Sequence, residues 1–142
     1  MNNSASPLES RLGIVLGGSR KIGAFQINNI EMNVPVRLSK SASEICGQRQ
    51  VVPDLSIPAK KVAIEYDSDA FHDNGNQNRR DKKRIDALQH DGWQVFSFVA
   101  DQFYNVNVLK HMARDILKAN GQSIRIRSAN FDIHLSNLLR NL

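Results

Sequence analysis

The stretch PDLSIPAKKVAIEYDSDAFH, residues 53–72, decides the fold of this chain. It contains two short runs of β-forming residues, at 54–57 and 62–67, and a Pro-Ala-Lys-Lys connection joins them. Apolar, β-branched segments on either side of a tight, proline-containing connection are typical of a β-hairpin. We therefore predict two paired strands in this stretch.

Carboxylates gather on one face of the predicted hairpin. Because side chains alternate along a strand, Glu65 and Asp67 share one face, while Val62 and Ile64 point to the other. Asp54 begins the preceding run and can lie beside the two acids. Like charges about 4 Å apart repel by roughly 1 kcal/mol in water and roughly 4 kcal/mol at an effective dielectric of 20. Either a cation such as Mg²⁺ or Mn²⁺ balances these oxygen ligands, or the face is simply a polar strand face in solvent.

Length and composition favour one cytoplasmic globular domain. The 142 residues can bury a single core, and contents of 41% hydrophobic and 23% charged residues are ordinary for such a domain. We expect no membrane partner, because no apolar run approaches the roughly 18 residues of a membrane span, and the N-terminus lacks a secretory signal. The single cysteine, Cys46, cannot form an internal disulfide, which fits a reducing compartment. A net charge of +5 fits a polyanionic partner such as nucleic acid.

The N-terminal part of the chain predicts a helix. Residues 1–6 are expected to be a disordered lead. Ser6, Pro7 and Glu9 then form a helix-start signature, with a capping hydroxyl, a proline at the first helical position and a carboxylate three residues after the cap. Glu9 therefore has a local role as a capping carboxylate, and this role competes with any part in catalysis.

The segments around the hairpin are less regular. Clean alternation of apolar residues predicts one half-buried strand over residues 30–38. Small polar residues at 39–47 predict a loop or a short helical turn. Asn, Asp and Gly at 71–78 predict a mobile loop.

A strongly basic helix is predicted over residues 78–90, with Ile85, Ala87 and Leu88 on its buried side. Such a charge run is most often a solvated helix face, but this one directly follows the acidic hairpin. The hairpin turn adds a lysine that is expected beside the carboxylates. The residues that could contact a nucleic-acid backbone are Arg79, Arg80, Lys83, Arg84 and Lys61.

The rest of the chain completes an α/β pattern. Residues 93–98 predict a central strand covered on both faces, and 105–120 predict an amphipathic helix. The sum is an α/β core with a central mixed β-sheet flanked by helices. We expect this core domain to span residues 7–121. Residues 122–142 are expected to add a short basic strand and a final helix that pack on it.

An ordered set of residues resembles the PD-(D/E)XK nuclease superfamily: Pro53-Asp54, Glu65-Tyr66-Asp67, His72, Asp81, Arg84, Leu88, Gly92-Trp93 and Val95. Within that superfamily the pattern is similar to the small domain of the very-short-patch-repair endonuclease type, whose first acidic helix looks like residues 6–12. The resemblance covers about residues 6–105. It implies a restriction-endonuclease-like fold and metal-dependent cleavage of phosphodiester bonds.

Carried over residue by residue, the resemblance assigns metal ligands and catalytic groups. It makes Asp54 the principal ligand of Mg²⁺ or Mn²⁺, Glu65 the second ligand and Glu9 an auxiliary acid. Asp67 stands where the superfamily usually has lysine, although an acid also occurs there in the branch named above. His72 would be either a general base or a group that closes its loop by hydrogen-bonding a carboxylate.

The missing lysine leaves three interpretations open. Another group supplies its positive charge, the candidates being Lys61, His72, Arg79 and Arg84. Alternatively, Asp67 is a metal ligand that recruits a second cation, or catalysis has been lost.

Three functions follow as hypotheses. The first is a metal-dependent DNA endonuclease or nicking domain, which would act as a homodimer if it makes a symmetric double-strand cut. The second is a catalytically inactive nuclease-fold module that binds DNA or is regulatory, as in antitoxin-like proteins. The third is a protein-interaction domain with an acidic surface.

Overall fold

The computed structural model describes residues 7–67, 75–99, 102, 104–122 and 129–142. The helices are α1 Pro7–Gly17, α2 Lys40–Cys46, α3 Gly75–His90, α4 Val106–Ala119 and α5 Ala129–Asn141. The strands are β1 Glu31–Met32, β2 Val36–Arg37, β3 Gln50–Val51, β4 Leu55–Ile57, β5 Val62–Asp67 and β6 Gln94–Val99. Short 3₁₀ turns occupy Arg20–Ile22 and Pro58–Lys60.

The predicted hairpin forms the middle of the main sheet. Strands β4 and β5 pair antiparallel, with Leu55 opposite Ile64, and the 3₁₀ turn joins them. The four-stranded sheet has the order β1-β4-β5-β6, in which β1 pairs antiparallel with β4 and β6 pairs parallel with β5. Parallel neighbours require a crossover connection, and α3 lies in it. The prediction of a mixed sheet in an α/β fold is confirmed.

Helices cover both faces of this sheet, as predicted. On one face, Leu55 and Ile64 pack in a buried cluster with residues of α1, α4 and α5. On the other face, Ala63 packs with Ala87 and Leu88 of α3 and with residues of α2. Burial of each large apolar side chain contributes about 1.5–3 kcal/mol, so these two layers hold the hairpin in place. The alternation of β5 thus sends Val62 and Ile64 to one layer, and Ala63 and the acids to the other. None of the described helices is long and apolar enough to cross a membrane.

The single strand predicted over residues 30–38 is wrong. The segment forms two two-residue strands instead, β1 in the main sheet and β2, which pairs antiparallel with β3 in a separate sheet. Asn33 has a φ of 53°, in the left-handed region, and Pro35 cannot donate a ladder hydrogen bond. The apolar alternation in the sequence therefore continues across a bend in the backbone, and the side-chain pattern gives no sign of that bend.

Two neighbouring segments are more helical than expected. Of the alternatives for 39–47, the helical one is correct, because α2 has Ser39 as its N-cap and ends at Gly47 with a φ of 74°. Helix α3 begins at Gly75, so residues 75–78 are helical rather than part of the predicted loop. The rest of that loop, residues 71–74, lies outside the described residues.

Later elements agree with the predictions except in one placement. Strand β6 lies at an edge of the four described strands rather than in the centre, and its apolar residues point both ways because both helical layers extend over it. Helix α4 is capped by Asn105, and the final helix α5 buries Leu135. The predicted strand at 124–127 and the lead at 1–6 lie outside the described part of the chain.

Candidate functional site

The hairpin register brings two of the predicted metal ligands together. Asp54 directly precedes β4, and the pairing of Leu55 with Ile64 places it opposite Glu65. The Asp54 N–H lies 3.4 Å from Oε2 of Glu65, and the two side chains lie within hydrogen-bonding range of each other. The N–H of Tyr66 donates to Oδ2 of Asp54 at 2.7 Å, which fixes that carboxylate at the end of the hairpin. The two carboxyl groups are therefore close enough to bind one cation.

Arg84 of α3 approaches the same pair. Its Nη2 lies 3.3 Å from Oε1 of Glu65 and also donates to the carbonyl oxygen of Val52 at 3.3 Å. Its Nη1 lies 3.8 Å from Oδ1 of Asp81, one helical turn earlier. Arg84 precedes the fully buried Leu88 by four residues, and residues at this spacing share a helix face. Packing of α3 on the sheet thus carries the guanidinium to the carboxylates.

Burial makes the Glu65 carboxylate electrostatically dependent on its neighbours. Its side chain is only 14% exposed. This burial raises the pKa of Glu65 above its ordinary value of 4.5, and the charge of Asp81 raises it further, whereas Arg84 and hydrogen bonds to Asp54 act in the opposite direction. A cation beside Glu65 therefore stabilises its charged form.

Asp67 follows Glu65 on the same face of β5 and is partly buried. At the rise of a strand, two residues separate the backbones by about 7 Å. Within the described residues, no group of three or more His, Cys, Asp or Glu side chains could hold a metal ion. The described residues therefore offer a metal ion two carboxylate ligands, Asp54 and Glu65. Mg²⁺ often binds in this way, through one or two carboxylates together with waters and substrate phosphates.

Two other predicted catalytic groups cannot be placed with the pair. His72 lies outside the described residues. The backbone of Glu9 belongs to α1, but its side chain lies outside the described part of the chain. Helix α1 packs in the buried cluster that contains Leu55 and Ile64, on the sheet face opposite to Glu65.

The predicted nucleic-acid-binding residues are divided between two ends of the sheet. Arg79, Arg80 and Lys83 are exposed on α3, the helix that carries Arg84. Lys61 is at the other end of β5, four residues from Glu65 and so about 13 Å away along the strand. Its Nζ donates to the carbonyl oxygen of Asp91 at 3.1 Å. The expectation that Lys61 lies beside the carboxylates is therefore wrong, because the turn and the open end of a hairpin are its two opposite ends.

One polar cluster was not predicted from the sequence. The N–H and Oγ of Ser39 donate to the Asp91 carboxylate at 2.7 and 2.5 Å, and these bonds lower the pKa of Asp91. The two residues are 52 positions apart, so local patterns carried no signal for this contact.

Comparisons with protein-family models, with curated proteins and with solved structures found no match to this chain. The resemblance to the PD-(D/E)XK nucleases therefore stays a prediction, and functional inference rests on the geometry of the site.

Proposed function

We propose that this chain is a metal-dependent DNA endonuclease domain that hydrolyses phosphodiester bonds, with Mg²⁺ or Mn²⁺ held between Asp54 and Glu65. The observation that carries the proposal is the pairing of these two carboxylates under a basic helix. A partly buried acidic pair of this kind favours a cation, and the exposed cations of α3 favour a phosphate backbone nearby. The restriction-endonuclease-like fold and the cytoplasmic location belong to the same proposal.

The residues of the chain would divide the work as follows. The bound ion would polarise the scissile phosphate and lower the pKa of an attacking water. Asp54, oriented by the Tyr66 N–H, and Glu65 would hold that ion. Arg79 and Arg80 would position the DNA through its phosphates, which carry no sequence information.

Among the candidates that the structure describes, we assign the role of the usual lysine to Arg84, because it contacts the acidic pair. Asp67 stands at the position of that lysine, and Lys61 is engaged at the far end of β5. Arg84 instead contacts Glu65 directly. Its guanidinium would place a permanent positive charge next to the reacting phosphate.

A second function is favoured by the same contact. Because Arg84 already neutralises Glu65, the site has a structural counter-ion without any metal. A nuclease-fold module that binds DNA without cutting it, or that has a regulatory, antitoxin-like role, would use the basic helix and keep the acidic pair only for stability.

A cleavage assay separates the two functions. Supercoiled plasmid is incubated with the purified protein in Mg²⁺ or Mn²⁺, with and without EDTA, and nicked and linear products are counted. Asp54→Asn is the sharper variant than alanine, because an amide oxygen can still accept the Tyr66 N–H. Asp86→Asn, which changes a partly exposed acid of α3, is the matched control. The nuclease proposal expects cleavage by wild type and Asp86→Asn, and none by Asp54→Asn or in EDTA.

Cleavage that persists in Asp54→Asn would refute the assigned site. The binding-only function expects no cleavage, with DNA affinity that falls with salt and ignores EDTA. The logarithm of DNA affinity falls linearly with the logarithm of salt concentration. Replacing Arg80 by alanine should then reduce the steepness of that line by about one, the value for one lost phosphate contact. Linear product that forms without a prior nicked intermediate would indicate that both strands are cut together, as expected for a homodimer.

A further inference from the structure

We infer that the chain has a second site, a cleft at the turn end of the hairpin that binds a nucleotide with its base against Trp93 and its phosphate between Arg37 and Lys61. The cleft is separate from the Asp54–Glu65 pair, because Lys61 and Glu65 lie about 13 Å apart along β5. The inference does not depend on nuclease activity.

The shape and walls of the cleft suit a ligand with a planar apolar part. Its volume is about 530 Å³, within the roughly 300–1,000 Å³ of small-molecule sites. Val34, Pro35 and Pro58 form apolar walls, and the partly buried Trp93 adds an aromatic surface. Stacking of one base on an aromatic side chain typically contributes about 1–3 kcal/mol.

Two cations line the same cleft. Arg37 and Lys61 are both exposed side chains that contribute to its wall. The Lys61 ammonium has three protons, and its bond to the Asp91 carbonyl uses one of them. Arg37 has the forked guanidinium that binds phosphate oxygens in pairs. The sum of charge is positive, because Asp91 is the one carboxylate among the lining residues.

That carboxylate is already committed to the protein. Asp91 accepts both the N–H and the hydroxyl of Ser39, and these bonds lower its pKa. They tie the residue that caps α2 to the turn after α3, and both residues line the cleft. These bonds restrain that part of the wall, which reduces the cost of ordering it around a ligand.

The combination selects a nucleotide over simpler anions. Inorganic phosphate could use the cations but not the aromatic wall, and a nucleoside could use the wall but not the cations. A nucleotide uses both, either as a free molecule or as an unpaired unit of a strand.

The test uses the fact that Trp93 is the single tryptophan of the chain. Its fluorescence is titrated with deoxyadenosine monophosphate, deoxyadenosine, inorganic phosphate and a short single-stranded oligothymidylate. We expect saturable quenching by the nucleotide or by the oligonucleotide, at least about tenfold tighter than by nucleoside or phosphate alone. Saturation by the oligonucleotide alone would assign the ligand to a strand rather than to a free nucleotide.

Variants locate the binding. Arg37→Gln and Lys61→Gln should each weaken binding about tenfold, whereas Lys118→Gln, which changes an exposed lysine of α4, should leave it unchanged. Circular dichroism checks that each variant is folded, and equilibrium dialysis gives the affinity independently of fluorescence. Absence of saturable binding by either method overturns the inference. Wild-type affinity in both Arg37→Gln and Lys61→Gln, or loss of binding in Lys118→Gln, overturns it as well.

Discussion

The ion pair between Arg84 and Glu65 gives the most direct test of the site electrostatics. Replacing Arg84 by glutamine removes the positive charge but keeps a polar side chain on α3. Glu65 then stays in its 14% exposed position without the guanidinium that lies 3.3 Å away in the native protein. The hydrogen bond from Arg84 to the Val52 carbonyl is lost as well.

The expected loss of unfolding free energy lies between two limits. Breaking a fully buried ion pair by removing one partner costs about 3–5 kcal/mol, whereas an exposed pair contributes about 0.2–1 kcal/mol. Arg84 is 29% exposed and Glu65 is 14% exposed, so the pair lies between these cases. We expect Arg84→Gln to lose about 2 kcal/mol at pH 7, of which the Val52 hydrogen bond accounts for about 1.

The loss of unfolding free energy in Arg84→Gln should depend on pH. The folded-state pKa of Glu65 is raised, mainly by burial, so protonation of Glu65 favours the folded state. The associated stability is fully present below the ordinary value of 4.5 and is lost as pH rises through the folded pKa. Without Arg84 that pKa rises further, so the variant loses more stability than wild type as pH increases. Below 4.5 the cost should shrink to the roughly 1 kcal/mol of the hydrogen bond.

Urea unfolding followed by Trp93 fluorescence measures these differences, at pH 7 and at about pH 4. The double variant Arg84→Gln/Glu65→Gln completes a thermodynamic cycle, and its coupling energy should be about 1 kcal/mol. Lys82→Gln is the matched control on the same helix. Its partner Asp86 is closer, at 2.9 Å, but the two side chains are 76% and 42% exposed, so the loss should stay below about 0.5 kcal/mol. A loss for Arg84→Gln that is the same at both pH values, or a coupling energy near zero, would refute this account of Glu65.

Three further stability predictions follow from other parts of the fold, each measured by urea unfolding. Ser39→Ala removes a helix cap and the bonds to Asp91, and should cost about 1.5 kcal/mol at pH 7. Because those bonds lower the pKa of Asp91, their contribution to stability is fully present above pH 3.8, the ordinary pKa of the group, and is lost as pH falls through the lowered pKa. An unchanged cost of Ser39→Ala in acid would contradict this. Gly23→Ala should cost at least about 3 kcal/mol, since a Cβ there would lie 2.5 Å from a backbone oxygen of α5, whereas Gly47→Ala, also at positive φ but facing open space, should cost about 1. Phe98→Ala should cost about 3–5 kcal/mol because it removes a fully buried side chain from the cluster that packs against α1, α4 and α5. A loss under about 1 kcal/mol would show that this cluster collapses around the gap.

The local parts of the fold and site could be predicted from the sequence. The hairpin follows from two β-forming runs and one tight turn, and its register then places Asp54 opposite Glu65. Side-chain alternation along β5 is also a local property, and it correctly assigned Val62 and Ile64 to one layer and the acids to the other. These inferences needed only the period of a strand and the closure of a short loop.

Long-range placement could not be predicted in the same way. Arg84 and Glu65 are 19 positions apart, and their contact depends on how α3 packs across the sheet. The edge position of β6 was missed because apolar residues on both faces indicate cover above and below, not the presence of a strand on each side. The bend at Asn33 was missed because a residue with a left-handed backbone leaves the apolar alternation of the sequence unchanged.

The contact between Arg84 and Glu65 also predicts how the proposed metal site should respond to its loss. If Asp54 and Glu65 hold Mg²⁺, the ion and the Arg84 guanidinium would both neutralise the Glu65 carboxylate, and their positive charges would oppose each other there. Arg84→Gln removes the competitor and leaves a more costly negative charge, so both effects strengthen metal binding. We expect calorimetry without DNA to give about tenfold tighter Mg²⁺ or Mn²⁺ binding, equivalent to about 1.4 kcal/mol, and plasmid cleavage to fall because the positive charge beside the phosphate is gone. Lys82→Gln should change neither quantity. Equal or weaker metal binding in Arg84→Gln would mean that Arg84 and the ion do not share Glu65, and the acidic pair would then be only a structural partner of the helix.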